Sequence, residues 1–125
     1  MTTIVDHHGT PVLVLDADGP VIAGEQDVLD HLIGAAYGRA DTVAVPAERL
    51  DERFFDLSTG FAGEVTQKCV QYRTRLVILG DISHHTATGT ALPALVRESN
   101  RGTHVWFLAD TDQLAARLAP PPATS

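Results

Sequence analysis

The sequence predicts an α/β fold, a mostly parallel five-stranded sheet covered by helices in the order β-β-α-β-α-β-α-β-α. Three observations predict it. Short β-branched apolar runs recur along the chain, and the longer stretches between them carry apolar residues at helical spacing. Gly, Pro and Asn mark most of the junctions. Strands that alternate with helices demand parallel neighbours and right-handed crossovers.

Taken in order, Pro11-Val12-Leu13-Val14-Leu15 is a buried strand by length and branching. Asp16-Ala17-Asp18-Gly19-Pro20 is a turn, and Val21-Ile22 is expected to return as the second strand of an edge hairpin. Over 26–37 a helix is expected, with Val28, Leu29, Leu32, Ile33 and Ala36 inward and Gly38 as its terminator. Strand 42–46 ends at Pro46, and 47–53 suits a single charged turn. A central helix over 60–73 follows, then strand 76–79 and a polar loop over 81–89. Pro93 fits the first turn of a helix over 91–99, and Asn100 and Gly102 suit its end. Strand 104–108 and helix 111–118 complete a single domain over 1–118, leaving Ala119-Pro120-Pro121-Pro122-Ala123-Thr124-Ser125 as a mobile tail.

Composition narrows the function. A chain of 125 residues, 44% hydrophobic and 20% charged, has the makings of a core. Its net charge of −7 argues against nucleic acid, which needs clustered Lys and Arg. The charge is uneven: residues 1–60 hold 11 acids and 3 bases, and residues 61–125 hold 5 acids and 6 bases. Arg73, Arg75, Arg97 and Arg101 thus mark either an anion-friendly zone or ordinary solvated helix ends. No apolar run is long enough for a bilayer, no signal-peptide pattern opens the chain, and Cys69 stands alone. The expected setting is the cytoplasm, away from membranes.

Phe54-Phe55-Asp56-Leu57, Thr59-Gly60, Ala62-Gly63-Glu64, Gln67-Lys68, Tyr72-Arg73, Gly80-Asp81 and Glu98-Ser99-Asn100-Arg101-Gly102 together resemble an uncharacterised bacterial family, domain-of-unknown-function family 4180. That resemblance implies no activity. The element order is also similar to that of STAS domains, the fold of anti-sigma factor antagonists. Their phosphorylatable Ser or Thr lies in an Asp-x-Ser-Gly-like turn opening the helix after the third strand. Asp56-Leu57-Ser58-Thr59-Gly60 stands in that place, with Asp56 one residue further back and an insert over 47–55 before it.

Parallel sheets place their sites beyond the strand C-termini, here the loops over 46–60, 80–89 and 109–111. Two roles are open to Thr59 and Ser58. A hydroxyl at a helix start either caps orphan N–H groups or takes a phosphoryl group that the helix dipole stabilises. Along the central helix Gly60, Glu64, Gln67 and Gln71 form a polar stripe, and Ala62, Val65, Cys69 and Tyr72 form the core face. Glu64 and Lys68 are spaced for an i,i+4 ion pair, and Gly63 suggests close approach of a neighbour. His84-His85 beside Asp81 offers an acid–base group. Adjacent histidines tend to point apart, and no metal-ligand spacing is present, so neither metal nor cofactor is expected.

The sequence therefore favours a STAS-like interaction domain, binding a protein partner or a second copy and switched near Thr59. Asp56, Gln67, Lys68, Asn100 and Arg101 are the binding candidates. The alternative is a small-molecule pocket or small enzyme between the 56–64 turn and the 81–85 loop. There Glu64, Asp81 or His84 would serve as acid or base, and Arg101 would hold an anion. Binding is expected over catalysis.

Overall fold

Five strands and five helices are assembled in the computed structural model, which describes residues 3–87 and 89–119. The strands are β1 (Thr3–His7), β2 (Thr10–Val14), β3 (Thr42–Pro46), β4 (Arg75–Leu79) and β5 (Val105–Leu108). They lie in sequence order in one sheet. β1 runs antiparallel to β2, and β2 to β5 are parallel. The expected tail falls outside the described residues apart from Ala119.

The five-stranded, mostly parallel sheet is as predicted, but its hairpin is made of other residues. Thr3–His7 is the antiparallel partner of β2, joined to it through His8 and Gly9 at φ 56 and 89. Positive φ at both positions gives a turn whose twist matches paired strands. The Asp6 carboxylate accepts from the Gly9 N–H at 2.7 Å and closes it. Val21-Ile22 is not that strand: Ile22 makes one isolated parallel bridge to Leu50.

Alternation along each strand sends side chains to two unlike faces. Leu13, Val43, Val45, Leu76, Ile78, Val105 and Phe107 turn to the larger core. It is covered by α1 (residues 25–36), α2 (Phe61–Gln71) and α4 (Ala91–Arg101). Val12, Ala44, Val77 and Trp106 turn to the other face, where Leu114 and Leu118 of α5 (Thr111–Leu118) pack. Successive right-handed crossovers account for three helices sharing one face.

Within α1 the segment Val28–Ile33 is π-helical, and the Gly34 N–H reaches back to the Leu29 carbonyl. A Cβ on Gly34 would lie 2.6 Å from that oxygen, so a glycine is required there. Strand β3 leads not into one turn but into three 3-10 turns, Ala47–Arg49, Glu52–Phe54 and Leu57–Thr59. Phe54 is fully buried there, against Phe55, Phe61 and Phe107 at centroid distances of 5.2, 6.4 and 6.3 Å. Gly60, at φ 78, turns the chain into α2.

Several local expectations are corrected. Ala62, Val65 and Cys69 form the inner face of α2, but Tyr72 is 53% exposed because it is the residue on which the helix ends. A Cβ on Gly63 would meet nothing within 4 Å, so close approach within the chain does not explain that glycine. Lys68 pairs with Glu25 of α1 at 2.9 Å rather than with Glu64. The 81–89 stretch is not all loop, since α3 (Ser83–Thr86) occupies its middle. Helix α4 continues through Asn100 to Arg101, and Gly102 is extended (φ −91, ψ −163), so neither Asn100 nor Gly102 takes positive φ. Among the described residues, no helix is long and apolar enough to cross a membrane.

Candidate functional site

Beyond the C-terminal ends of β3 and β4, the 3-10 turns and α3 stand either side of an open cleft of about 880 Å³. Its lining comes from three stretches: 52–58 without the buried Phe54, His84-His85 and 89–92. The chain after a parallel strand's end is where α/β folds place ligands, because the loops there are free of the ladder.

The cleft is built around an aromatic stack. The Phe55 ring, 8% exposed, lies flat on the His85 ring, with centroids 4.1 Å apart and planes 9° apart. The His84 ring follows 3.8 Å from His85, tilted by 42°. Adjacent side chains usually diverge, and the tight turn of α3 brings these two rings together instead. That turn starts with Asp81, whose carboxylate accepts from the Ser83 N–H at 2.9 Å. Hydrogen bonds from Ser83, hydroxyl first and then amide, hold the Asp81 carboxyl below the usual carboxylate range. Burial, and then the charge of His84, push the His85 imidazole below the usual histidine range, against the opposing pull of Glu52. A neutral imidazole carries one donor and one acceptor nitrogen at neutral pH.

Across the cleft the turns are locked by their own polar groups. Asp56 Oδ1 accepts from the Ser58 amide at 3.1 Å and from the Ser58 hydroxyl at 2.6 Å. Thr59 Oγ1 lies 2.7 Å from the Arg53 carbonyl and 2.8 Å from the Asp56 carbonyl, and it accepts from the Phe61 N–H at 3.2 Å. Its hydroxyl therefore accepts from the first N–H of α2 and shares its one proton between two earlier carbonyls. Arg53 binds Asp51 at 3.0 Å, donates to the Ala23 carbonyl and lies 5.0 Å over the Phe61 ring. An adjoining recess of about 300 Å³ shares Glu52, Phe55 and both histidines, and adds Glu48 and Asp81.

Apart from Thr59, whose hydroxyl is engaged by the backbone of the turns and of α2, the predicted site residues separate into three places. Asp56, Ser58 and His84 line the cleft, and Asp81 lines the adjoining recess. Glu64, Gln67 and Lys68 line a different hollow of about 250 Å³, between α1 and α2. Asn100 and Arg101 lie in the last turn of α4, where Asn100 binds the Phe107 backbone and Arg101 lies 3.5 Å from Glu98. His85, named with His84 from sequence, also lines the cleft; the lining residues not proposed from sequence as site residues are chiefly Glu52, Phe55 and Thr90. Phe55 carried a signal as the neighbour of Asp56. Thr90 had none, since its place depends on how α4 docks.

Burial also pushes the Cys69 thiol up to about 12, which makes it a poor nucleophile. Among the described residues, no three His, Cys, Asp or Glu side chains are grouped to hold a metal ion.

The family model for the Domain of unknown function (DUF4180) matches residues 7–118. The chain belongs to this family. The match runs from the end of β1 through α5, so the cleft and both hollows lie inside the family's domain. No curated protein and no solved structure matches the chain.

Proposed function

We propose that the protein is a small-ligand-binding domain whose ligand occupies the cleft between the 3-10 turns and α3. The observation that carries this reading is the Phe55–His85–His84 stack along the wall of a concave site at the strand C-termini. A neutral imidazole next to carboxylates, hydroxyls and the apolar Leu57 and Leu92 suits a small, flat molecule with hydrogen-bonding groups on its rim. Glu52 and His84 line the same cleft and offer it polar groups, and binding is the primary role.

A second reading makes the domain a STAS-like regulatory module of bacterial type, docking a protein partner and switched by phosphorylation. It is favoured by the sheet with one antiparallel strand pair and by the 56–60 turn opening α2. Ser58 is the better acceptor of the two hydroxyls. Both are exposed, but the one proton of Thr59 is already shared between two backbone carbonyls. A phosphoryl group on Ser58 would face Asp56 and loosen the cleft wall by charge repulsion. A buried, unpaired Cys69 supports a reducing, cytoplasmic setting for either reading.

Native mass spectrometry of the protein purified from its own host, with peptide mapping, separates the two readings. The binding reading predicts an unmodified chain carrying added small-molecule mass that a His84→Ala/His85→Ala variant loses. An empty chain bearing phosphate on Ser58 or Thr59 would overturn it in favour of the switch.

A further inference from the structure

We propose that the outer edge of β5 is a guarded strand-pairing surface, on which the Asn100 and Gln113 side-chain amides stand in for a sixth strand and keep a second copy of the chain from pairing there. The backbone alternation of β5 carries the argument. The Leu76 N–H donates to the His104 carbonyl at 2.9 Å, and the Gly80 N–H donates to the Leu108 carbonyl at 3.0 Å. Residues 104, 106 and 108 therefore turn their backbone groups toward β4, and 105, 107 and 109 turn theirs outward.

At that outer edge the Phe107 N–H donates to Asn100 Oδ1 at 2.8 Å, and Asn100 Nδ2 donates to the Phe107 carbonyl at 3.2 Å. One primary amide thus reproduces both hydrogen bonds that a neighbouring strand would make. Two residues on, the Ala109 N–H donates to Gln113 Oε1 at 2.9 Å. The two amides come from different helices, α4 and α5; Asn100 meets Phe107 within β5, and Gln113, whose own N–H donates to the Asp110 cap, meets Ala109 just past the strand's end. Arg117 braces the arrangement by donating to the Asn100 carbonyl. An open edge presents a row of unpaired N–H and C=O groups that templates another strand, and natural sheets block it. Asn100 lies inside the last turn of α4, which ends at Gly102, so a local capping role does not explain its side chain.

The competing partner is a second β5, antiparallel across a two-fold axis, because a self-complementary edge closes into a dimer. The test compares wild type with an Asn100→Ala/Gln113→Ala variant by light scattering over a concentration series. The guard predicts that the folded variant doubles its mass relative to wild type at the same concentration. A folded variant whose mass tracks that of wild type at every concentration overturns the proposal. Hydrogen exchange on wild type needs no variant: the Phe107 amide is expected to exchange far more slowly than a free edge amide. Exchange as fast as an exposed amide would overturn the guard as well.

Discussion

Phe54→Ala is expected to lower the unfolding free energy by about 3–5 kcal/mol. Its ring is fully buried where the turns, α2 and β5 converge, with Phe55, Phe61 and Phe107 around it. Removing it takes away a whole side chain of transfer free energy and leaves a cavity that rings on three separate elements cannot collapse to fill. Because the Phe55 ring is 5.2 Å away on one side and stacked on His85 on the other, the cleft wall should shift with it. Urea unfolding measures the first effect. Phe54→Leu keeps most of the volume and should cost less than about 1.5 kcal/mol. A loss under about 1 kcal/mol for the alanine variant would mean that the turns are not anchored through this ring.

The second large effect is expected at Arg49, a residue whose sequence context gives no hint of burial. It is 4% exposed, and its guanidinium donates to the Pro20 carbonyl at 2.7 Å and the Asp16 carbonyl at 2.6 Å. These bonds tie the 16–20 turn to the first 3-10 turn after β3. A Cβ on Gly19 would lie 2.6 Å from Arg49 Cζ, so that glycine serves close approach and not a special backbone angle. Arg49→Ala leaves two carbonyls without their donors and opens the space beneath the turn. Its expected cost is roughly 3 kcal/mol. Arg49→Lys should recover little of it, because one ammonium group on a flexible stem does not reproduce a planar fork. Full stability in Arg49→Lys would show that charge alone, without the fork, holds the turn.

The fold was legible where one period dominated. Strands β3 and β4, the inner faces of α1 and α2, and α5 follow from spacing alone. The hairpin was not legible because Thr3–His7 mixes Asp and His into an edge strand that is only partly buried, so its alternation is weak. Tyr72 extends the helical period past the helix's end at Gln71: the chain leaves the helix there through Arg73 at φ 55, a conformation glycine would normally announce. Asn100 read as a terminator because Asn favours helix ends, whereas its amide serves a strand seven residues later. Tertiary contacts of that kind leave no trace in local spacing.

The candidate site was legible as two halves. The Asp56–Ser58 turn and the His84-His85 pair both stood out, and the parallel-sheet rule placed them at one end of the molecule. What spacing could not supply was the stack. It depends on Phe55, a buried member of the core, presenting its ring to His85, and on α3 forming where a loop was expected. Glu64 was drawn into the same pocket by its proximity in sequence, but helix α2 carries it to the hollow shared with α1.

The most direct test is protein-observed NMR of the wild-type chain against a library of planar nitrogen heterocycles. If the cleft is the binding site, hits will shift the Phe55, His84, His85 and Thr90 amides together, and a His84→Ala/His85→Ala variant will lose those shifts while keeping its fold. Hits that move Glu64, Gln67 and Lys68 instead, or shifts that survive in the variant, would contradict the assignment of the cleft.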